Sequence, residues 1–192
     1  MLIEKITSRI NSWTSKYLSY AGRLQLVQSM FFNIQNYWCK HFILPKGVLK
    51  AIDQKCLRFF WNGRDESAKG ARVSWSSVCY PKSEGGLGLK DITNWNKACI
   101  IQNIWSIFTK VGSLWIAWIE AYVLEGMSIW LLPISIGCSW NWRKIMQLTE
   151  LASNFIERRN GGEVWKYPGS KYQVAMIWED IKPKQEKRIG IG

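Results

Sequence analysis

The spacing of apolar residues along the first sixty positions is the feature that most narrows the folds open to this chain. Apolar side chains recur there at alternating intervals of three and four residues, which places them on one face of an α-helix. Three such segments follow one another and end at Asn62-Gly63, with Ser19 as the predicted N-cap of the second. The apolar positions are Ile3, Ile6, Ile10, Trp13 and Tyr17, then Leu24, Val27, Phe31, Ile34 and Trp38, then Leu49, Ile52, Cys56 and Phe59.

The next segment, residues 63–90, interrupts the helical pattern with glycines and Pro81. Within it, Arg72 to Trp75 predicts a short strand and residues 84–89 predict a tight loop. Helices are predicted again over 91–110 (with Asp91 as N-cap), 114–124 and about 141–159. A weakly alternating stretch over 163–181 and a frayed tail from Lys182 follow. The sequence therefore predicts a mainly-α bundle of about six helices with a glycine-rich irregular insertion.

These patterns divide the chain into four predicted parts. Residues 1–62 form a basic three-helix part, and residues 63–90 form the glycine-rich insertion. Residues 91–160 form an apolar helical part, and residues 161–192 form a C-terminal segment that ends in the tail.

Positive charge is concentrated in the first part. The whole chain carries 26 Lys and Arg against 14 Asp and Glu, a formal net charge of +12. Residues 1–60 hold nine basic residues against Glu4 and Asp53, whereas residues 111–160 are neutral in sum. This excess favours a polyanionic partner, with nucleic acid ahead of a membrane surface. The candidate phosphate contacts from charge alone are Lys16, Lys40, Lys46, Lys50, Lys55 and Arg58, with Lys5 and Arg9 on the first helix.

Tryptophan is unusually frequent, at 13 residues. Most of these side chains are expected to fill the core, because they stand at helical spacing. Trp61 and Trp75, which lie near the glycine loop and several arginines, are the candidates for stacking on bases.

The residues that carry metal and catalytic chemistry are scarce. The five cysteines are too widely spaced for a zinc motif, and His41 is the only histidine. We therefore expect reduced, mostly buried thiols, with no metal, no cofactor and no small-molecule substrate. The run from Glu84 to Gly88 lacks the order of a phosphate-binding loop, so we interpret it as a turn.

The most apolar stretch, residues 113–140, is interrupted by Glu120, Glu125 and Pro133. It therefore predicts buried helices rather than a membrane span, although a membrane-associated protein stays an alternative. Without a signal peptide at its start, the chain is expected to be intracellular, in the nucleus or cytoplasm.

Several short strings together resemble the segment that follows the polymerase palm in plant LINE-type non-LTR retrotransposon reverse transcriptases. They cover about residues 8 to 120 in the family's order and spacing. They are Lys16-Tyr17-Leu18-Ser19-Tyr20-Ala21-Gly22-Arg23, Phe42-Ile43-Leu44-Pro45, Phe59-Phe60-Trp61-Asn62-Gly63, Val73-Ser74-Trp75, Val78-Cys79-Tyr80-Pro81-Lys82 and Glu84-Gly85-Gly86-Leu87-Gly88-Leu89. Residues 171–183 resemble the lead-in to that family's C-terminal zinc-binding domain.

The resemblance implies a thumb-like helical fold that holds a template–primer duplex or an RNA/DNA hybrid. It adds Arg23, Arg72 and Lys82 to the candidate nucleic-acid contacts, since these stand in motif positions. The family's catalytic Tyr-Ala-Asp-Asp hairpin and its zinc-binding Cys/His cluster are absent from this sequence. We therefore expect a fragment that is not an enzyme and that binds nucleic-acid backbone without sequence specificity. The alternative from another class is an inert or protein-interaction remnant.

Overall fold

The computed structural model describes residues 2–13, 18–63, 73–110, 113–132, 137–159, 162–166 and 174–182. Helices dominate these residues, so the predicted mainly-α fold is confirmed. The α-helices are α1 (Leu2–Ser12), α2 (Tyr20–His41), α3 (Lys46–Asn62), α4 (Trp75–Cys79), α5 (Ile92–Thr109), α6 (Leu114–Ile119), α7 (Trp140–Ala152) and α8 (Val174–Ile181). A π-helical turn (Glu120–Leu124) continues α6, and short 3-10 turns cover Lys82–Glu84 and Ile129–Leu131.

The chain folds into two compact units. The first comprises residues 1–38, 44–93 and 182–192, and the second comprises residues 39–43 and 94–181. The four-part division drawn from the sequence stays a prediction.

The core of the first unit follows the predicted apolar stripes. Ile6 and Ile10 of α1 are buried, as are Val27, Phe31 and Ile34 of α2 and Leu49, Ile52, Cys56 and Phe59 of α3. The Trp13 ring lies 6.0 Å from that of Phe59, and the Phe31 ring meets Trp75 edge-on at 5.8 Å. These contacts join α1 to α3 and α2 to α4.

The predicted starts and stops of these helices are confirmed where a side chain or a glycine provides them. The hydroxyl of Ser19 accepts a hydrogen bond from the Gly22 amide (3.2 Å) at the start of α2. Asp91 Oδ1 accepts from the Thr93 amide (3.1 Å) at the start of α5. Gly63 ends α3 with φ of +71°, a conformation that glycine adopts without steric cost.

One prediction for the first unit is wrong and another is only partly testable. Helix α1 ends at Ser12, and residues 14–17, which the predicted first helix included, lie outside the described part of the chain. The segment ending at Trp75 is no strand, because Ser74 caps α4 by accepting from the Ser77 amide (3.2 Å). A local serine cap therefore prevails over the β-preference of Val73 and Trp75.

The second unit is built around α5, in which eight of the 18 residues are buried and nine are half-buried. Ile100, Ile101 and Ile104 of α5 pack with Ile145 of α7 and Ile177 of α8 in one apolar cluster. A neighbouring cluster gathers Ile107, Ile116, Ile119, Leu124, Ile129 and Met146.

The C-terminal half of this unit departs from the prediction. Helix α7 ends at Ala152 rather than near Arg159, and the chain then forms strand β1 (Ile156–Arg159), antiparallel to β2 (Gly162–Trp165), with Ile156 opposite Trp165. The weakly alternating stretch expected over 163–181 is β2 followed by the helix α8. Phe155 and Ile156 are adjacent and both buried, and the Phe155 carbonyl accepts from the Lys166 amide (3.0 Å). The two strands are only two residues apart in the sequence, so this pairing is local, and an interpretation based on helical periodicity does not detect it.

Among the described residues, no single helix is long and apolar enough to cross a bilayer. Only α5 and the Leu114–Leu124 stretch, taken together as a bent pair, reach the necessary length and composition.

Candidate nucleic-acid interface

Helix α1 presents two cations to solvent. Lys5 and Arg9 stand one turn apart on its exposed face, while Ile6 and Ile10 are buried on the other. Together with Glu4, Ser8 and Ser12, they line an open groove of about 590 Å³. Neither cation forms an ion pair within the described residues.

The start of α3 is a second cationic surface. Lys46 and Lys50 are exposed and one turn apart, and Pro45 precedes them without any side-chain cap for the helix. The first amides of an α-helix lack intrahelical acceptors and carry partial positive charge. A Cβ added at Gly47 would meet no atom within 4 Å, so this end of the helix is open to approach. We call Lys46, Gly47 and Lys50 the α3 entry.

The remaining cations of α3 do not belong to this surface. Lys55 is five residues beyond Lys50, which places it about 140° around the helix. Lys55 and Arg58, which charge alone made candidate phosphate contacts, are both half-buried and interact with other groups of the protein. Tertiary packing partly covers this half of the helix, and the role of these two side chains toward nucleic acid stays a prediction.

Arg23 is used inside the first unit. Its Nη1 donates to the carbonyls of Trp61 (2.9 Å) and Phe60 (3.3 Å), in the last turn of α3. Its guanidinium also lies 5.3 Å from the centre of the Tyr20 ring. A positive charge at a helix C-terminus satisfies free carbonyls and opposes the negative end of the helix dipole. The motif position that the resemblance assigned to nucleic acid thus holds α2 against the end of α3.

The other residues that were predicted to contact nucleic acid do not all lie in one unit of the described residues. Lys82 is exposed in the first unit, and Lys40 is exposed in the second. Lys16 and Arg72 lie outside the described residues. The roles of all these side chains toward nucleic acid stay predictions.

The glycine loop is closed by its own hydrogen bonds. The amides of Gly86 and Gly88 donate to the carbonyls of Pro81 (3.0 Å) and Tyr80 (2.9 Å), and the Leu87 amide donates to Val78 (2.9 Å). A Cβ at Gly86 would lie 2.0 Å from the Tyr80 oxygen, so only glycine fits there. These amides are used within the turn, in agreement with its interpretation as a turn rather than a phosphate cradle.

The tryptophans proposed to stack on bases occupy different environments. Trp75 is only 8% exposed and belongs to the core, so it cannot meet a base. Trp61 is half-buried against Phe60 and Tyr20 and lines a groove with Val73 and Leu87. By contrast, Trp115, Trp118 and Trp140 are exposed, although their helical spacing predicted burial.

Buried titratable groups surround the end of α4. Burial raises the pKa of Asp53 to about 7, and the nearby Asp91 carboxylate adds to the shift. Burial likewise raises the pKa of the Cys79 thiol and, in the second unit, of the Cys39 thiol. Cys39, Cys56, Cys79 and Cys99 are buried thiols that form no disulfide, as predicted, and Cys138 is half-buried. Within the described ranges, no three His, Cys, Asp or Glu side chains come together as metal ligands.

Helix α5 carries a polar face that was not predicted from the sequence. Gln102, Asn103 and Ser106 share one face of this otherwise apolar helix and line a groove of about 540 Å³ in the second unit. Lys40 and Asn141 line the same groove. Three polar residues at positions i, i+1 and i+4 of an apolar helix were the available signal.

One comparison with known proteins bears on these surfaces. A protein of Arabidopsis thaliana with the name "Putative ribonuclease H protein" is 34% identical to this chain over 185 residues. The match covers 93% of this chain and 28% of the Arabidopsis protein, so the chain spans little more than a quarter of that relative's length. No protein-family model matches the chain, and no solved structure matches it.

This comparison corrects one prediction. From the absence of a catalytic carboxylate hairpin we expected that the chain is not an enzyme. That prediction is wrong, because the relative that aligns with 93% of the chain bears the name of an enzyme. The absence of a catalytic motif does not exclude an enzyme when the aligned sequence is a small part of a longer protein.

Proposed function

We propose that this chain is a nucleic-acid-binding part of a LINE-type retroelement protein and that it holds the phosphate backbone of a duplex. The α3 entry carries the proposal: two exposed lysines, one turn apart, flank an uncapped helix start with an open glycine between them. Anions bind favourably at such a helix start, because free amides and the helix dipole attract negative charge.

The charge distribution supports this surface. The nine basic residues in positions 1–60 produce a local excess of seven positive charges. Lys5 and Arg9 offer a second pair of exposed cations in the same unit. The proposed contacts are made to phosphates rather than to base edges. Contacts between lysines and phosphates do not distinguish one base sequence from another.

The resemblance to the post-palm segment of retrotransposon reverse transcriptases supports the same class of ligand. So does the name of the Arabidopsis relative, because a ribonuclease acts on nucleic acid. We therefore propose a thumb-like role, in which the first unit holds an RNA/DNA hybrid or a duplex without sequence preference. Dissociation constants on the order of 10⁻⁴–10⁻⁶ M at physiological salt are expected for backbone binding alone.

Fluorescence anisotropy across a salt series tests the proposal. The substitutions Lys46→Ala and Lys50→Ala, made together, should weaken binding equally for unrelated duplex sequences. They should also flatten the log–log salt slope by about 1.8 on a B-form duplex, at about 0.9 for each phosphate contact.

The matched control removes the same charge elsewhere. Lys97 and Lys144 bond to Asn94 (3.2 Å) and Gln147 (2.8 Å) on their own helices. Replacing both with alanine should leave the slope close to that of the parent. Equal losses in the two double variants would show that only net charge matters, and unchanged binding by the Lys46/Lys50 variant would refute the proposed contact.

A further inference from the structure

The groove beside α5 is built differently from the basic surfaces of the first unit. It lies within the second unit and has a volume of about 540 Å³, within the range of small-molecule sites. Its walls combine amides, a hydroxyl, a cation and an indole. The side chains that matter here are Lys40, Gln102, Asn103, Ser106, Trp115 and Asn141.

Two of the amides have orientations set by their partners. Asn103 Nδ2 donates to the Lys40 carbonyl (2.9 Å), and a carbonyl can only accept, so Asn103 Oδ1 stays available. Asn141 Oδ1 accepts from the Ile43 amide (3.2 Å), which can only donate, so the Asn141 amino group stays available. The Gln102 side chain forms no hydrogen bond among the described residues. The groove therefore offers one acceptor and one donor group of fixed orientation, Asn103 Oδ1 and the Asn141 amino group.

Trp115 supplies a flat apolar surface at the same groove. Its side chain is 39% exposed, which is a large exposure for an indole beside a packed core. Aromatic side chains stack on unpaired bases, because every base has a π-face. The Lys40 side chain is exposed in the same groove and can contact a phosphate.

We infer that this groove binds one unpaired nucleotide of a single strand. The base stacks on Trp115, its Watson–Crick edge meets the amides of Gln102, Asn103 and Asn141, and Lys40 contacts the adjoining phosphate. A paired base cannot enter in this way, since its Watson–Crick edge is already used. The inference rests on the proposed function only in taking nucleic acid as the partner, because it uses a different unit and different side chains.

The test uses the full chain and a 12-nucleotide single strand that carries 2-aminopurine, prepared once as RNA and once as DNA. Anisotropy reports binding, and 2-aminopurine fluorescence reports stacking. Trp115→Ala should weaken single-strand binding by about ten-fold, since loss of one stacked base has an effect of about that size. It should also abolish the quenching of 2-aminopurine fluorescence that accompanies stacking. Trp115→Phe should retain most of both signals.

The matched control is Trp118→Ala. Trp118 is 53% exposed, stands one turn further along α6 and does not line this groove. It should bind the single strand like the parent. Gln102→Ala changes a half-buried side chain without a described partner and should reduce quenching without altering duplex affinity.

The outcomes separate this inference from the proposed function. Equal binding by Trp115→Ala and Trp118→Ala, or no single-strand binding at low salt, overturns the inference. Selective loss in Trp115→Ala supports it, even if the Lys46/Lys50 variant binds duplex like the parent and the proposed function fails. The RNA and DNA arms then identify the sugar that the groove accepts.

Discussion

Replacing Arg23 with alanine should destabilise the first unit without weakening the proposed binding of a duplex. The Arg23 Nη1 bond to the Trp61 carbonyl (2.9 Å) is charge-assisted and contributes about 1.5 kcal/mol to stability. The longer bond to the Phe60 carbonyl (3.3 Å) adds about 0.5 kcal/mol, and the guanidinium beside Tyr20 adds about 0.5 kcal/mol. The loss is therefore about 2.5 kcal/mol.

Thermal unfolding followed by circular dichroism measures this loss. For a chain of this length, 2.5 kcal/mol corresponds to a decrease in Tm of about 5–10 °C. Gln25→Ala, an exposed position on the same helix, is the control and should change stability by less than about 0.5 kcal/mol. Arg23→Lys should recover only part of the loss, because a lysine ammonium group is more strongly hydrated than a guanidinium and stacks less well on an aromatic ring such as that of Tyr20.

The opposite result would refute this account of Arg23. If Arg23→Ala melts like the parent while the salt slope of duplex binding flattens by about 0.9, Arg23 contacts a phosphate. The motif position would then have the role that the family resemblance implied. Anisotropy and melting of the same samples therefore decide between the two roles.

Three further predictions follow from backbone geometry and burial. Gly63→Ala should lower the free energy of unfolding in urea by about 1–2 kcal/mol, because φ at this position is +71° and the new Cβ would lie 3.1 Å from the Arg23 guanidinium carbon. The loss should be smaller when the same substitution is made in the Arg23→Ala variant. Gly86→Ala should lower the free energy of unfolding by about 3 kcal/mol or more, since its Cβ would lie 2.0 Å from a backbone carbonyl oxygen. Gly85→Ala should lower it by about 1 kcal/mol, because only the positive φ opposes alanine there. Equal losses for the two variants in urea unfolding would contradict this prediction. Asp53, with its pKa raised to about 7, favours folding most below about pH 4 and loses that contribution as the pH rises through 7. Asp53→Asn should therefore flatten the decline in stability between about pH 4 and pH 7, and an unchanged pH profile would show that Asp53 does not cause it.

The helices that sequence reasoning placed correctly are those with local signals. Ser19, Asp91 and Gly63 act on their own neighbours in the chain, through a cap bond or a left-handed backbone. These signals act within a few residues of the chain and do not depend on contacts with distant residues. Periodicity and capping therefore located α2, α3 and α5 from the sequence. The same reasoning missed α8 and the β1–β2 hairpin, whose segments are short and depend on burial.

The candidate sites were less predictable, because side-chain availability depends on packing. Charge counting found Lys46 and Lys50, which are exposed, but it also included Lys55 and Arg58, which packing half-buries. It could not find Gln102 or Asn103, because uncharged amides leave no mark on a charge profile. These two residues line the same groove as Trp115 because of the way in which the consecutive helices α5 and α6 pack.

The sequence alone determined that this chain is helical, that positive charge is concentrated before residue 60 and that the glycine run is a turn. Each of these depends on neighbouring residues or on simple counts. Only the tertiary structure decided that Arg23 caps the end of α3 and that the exposed tryptophans are Trp115, Trp118 and Trp140. These outcomes depend on contacts between residues far apart in the chain. Arg23 and Trp61 are 38 positions apart, and no local pattern records which carbonyl an arginine will reach.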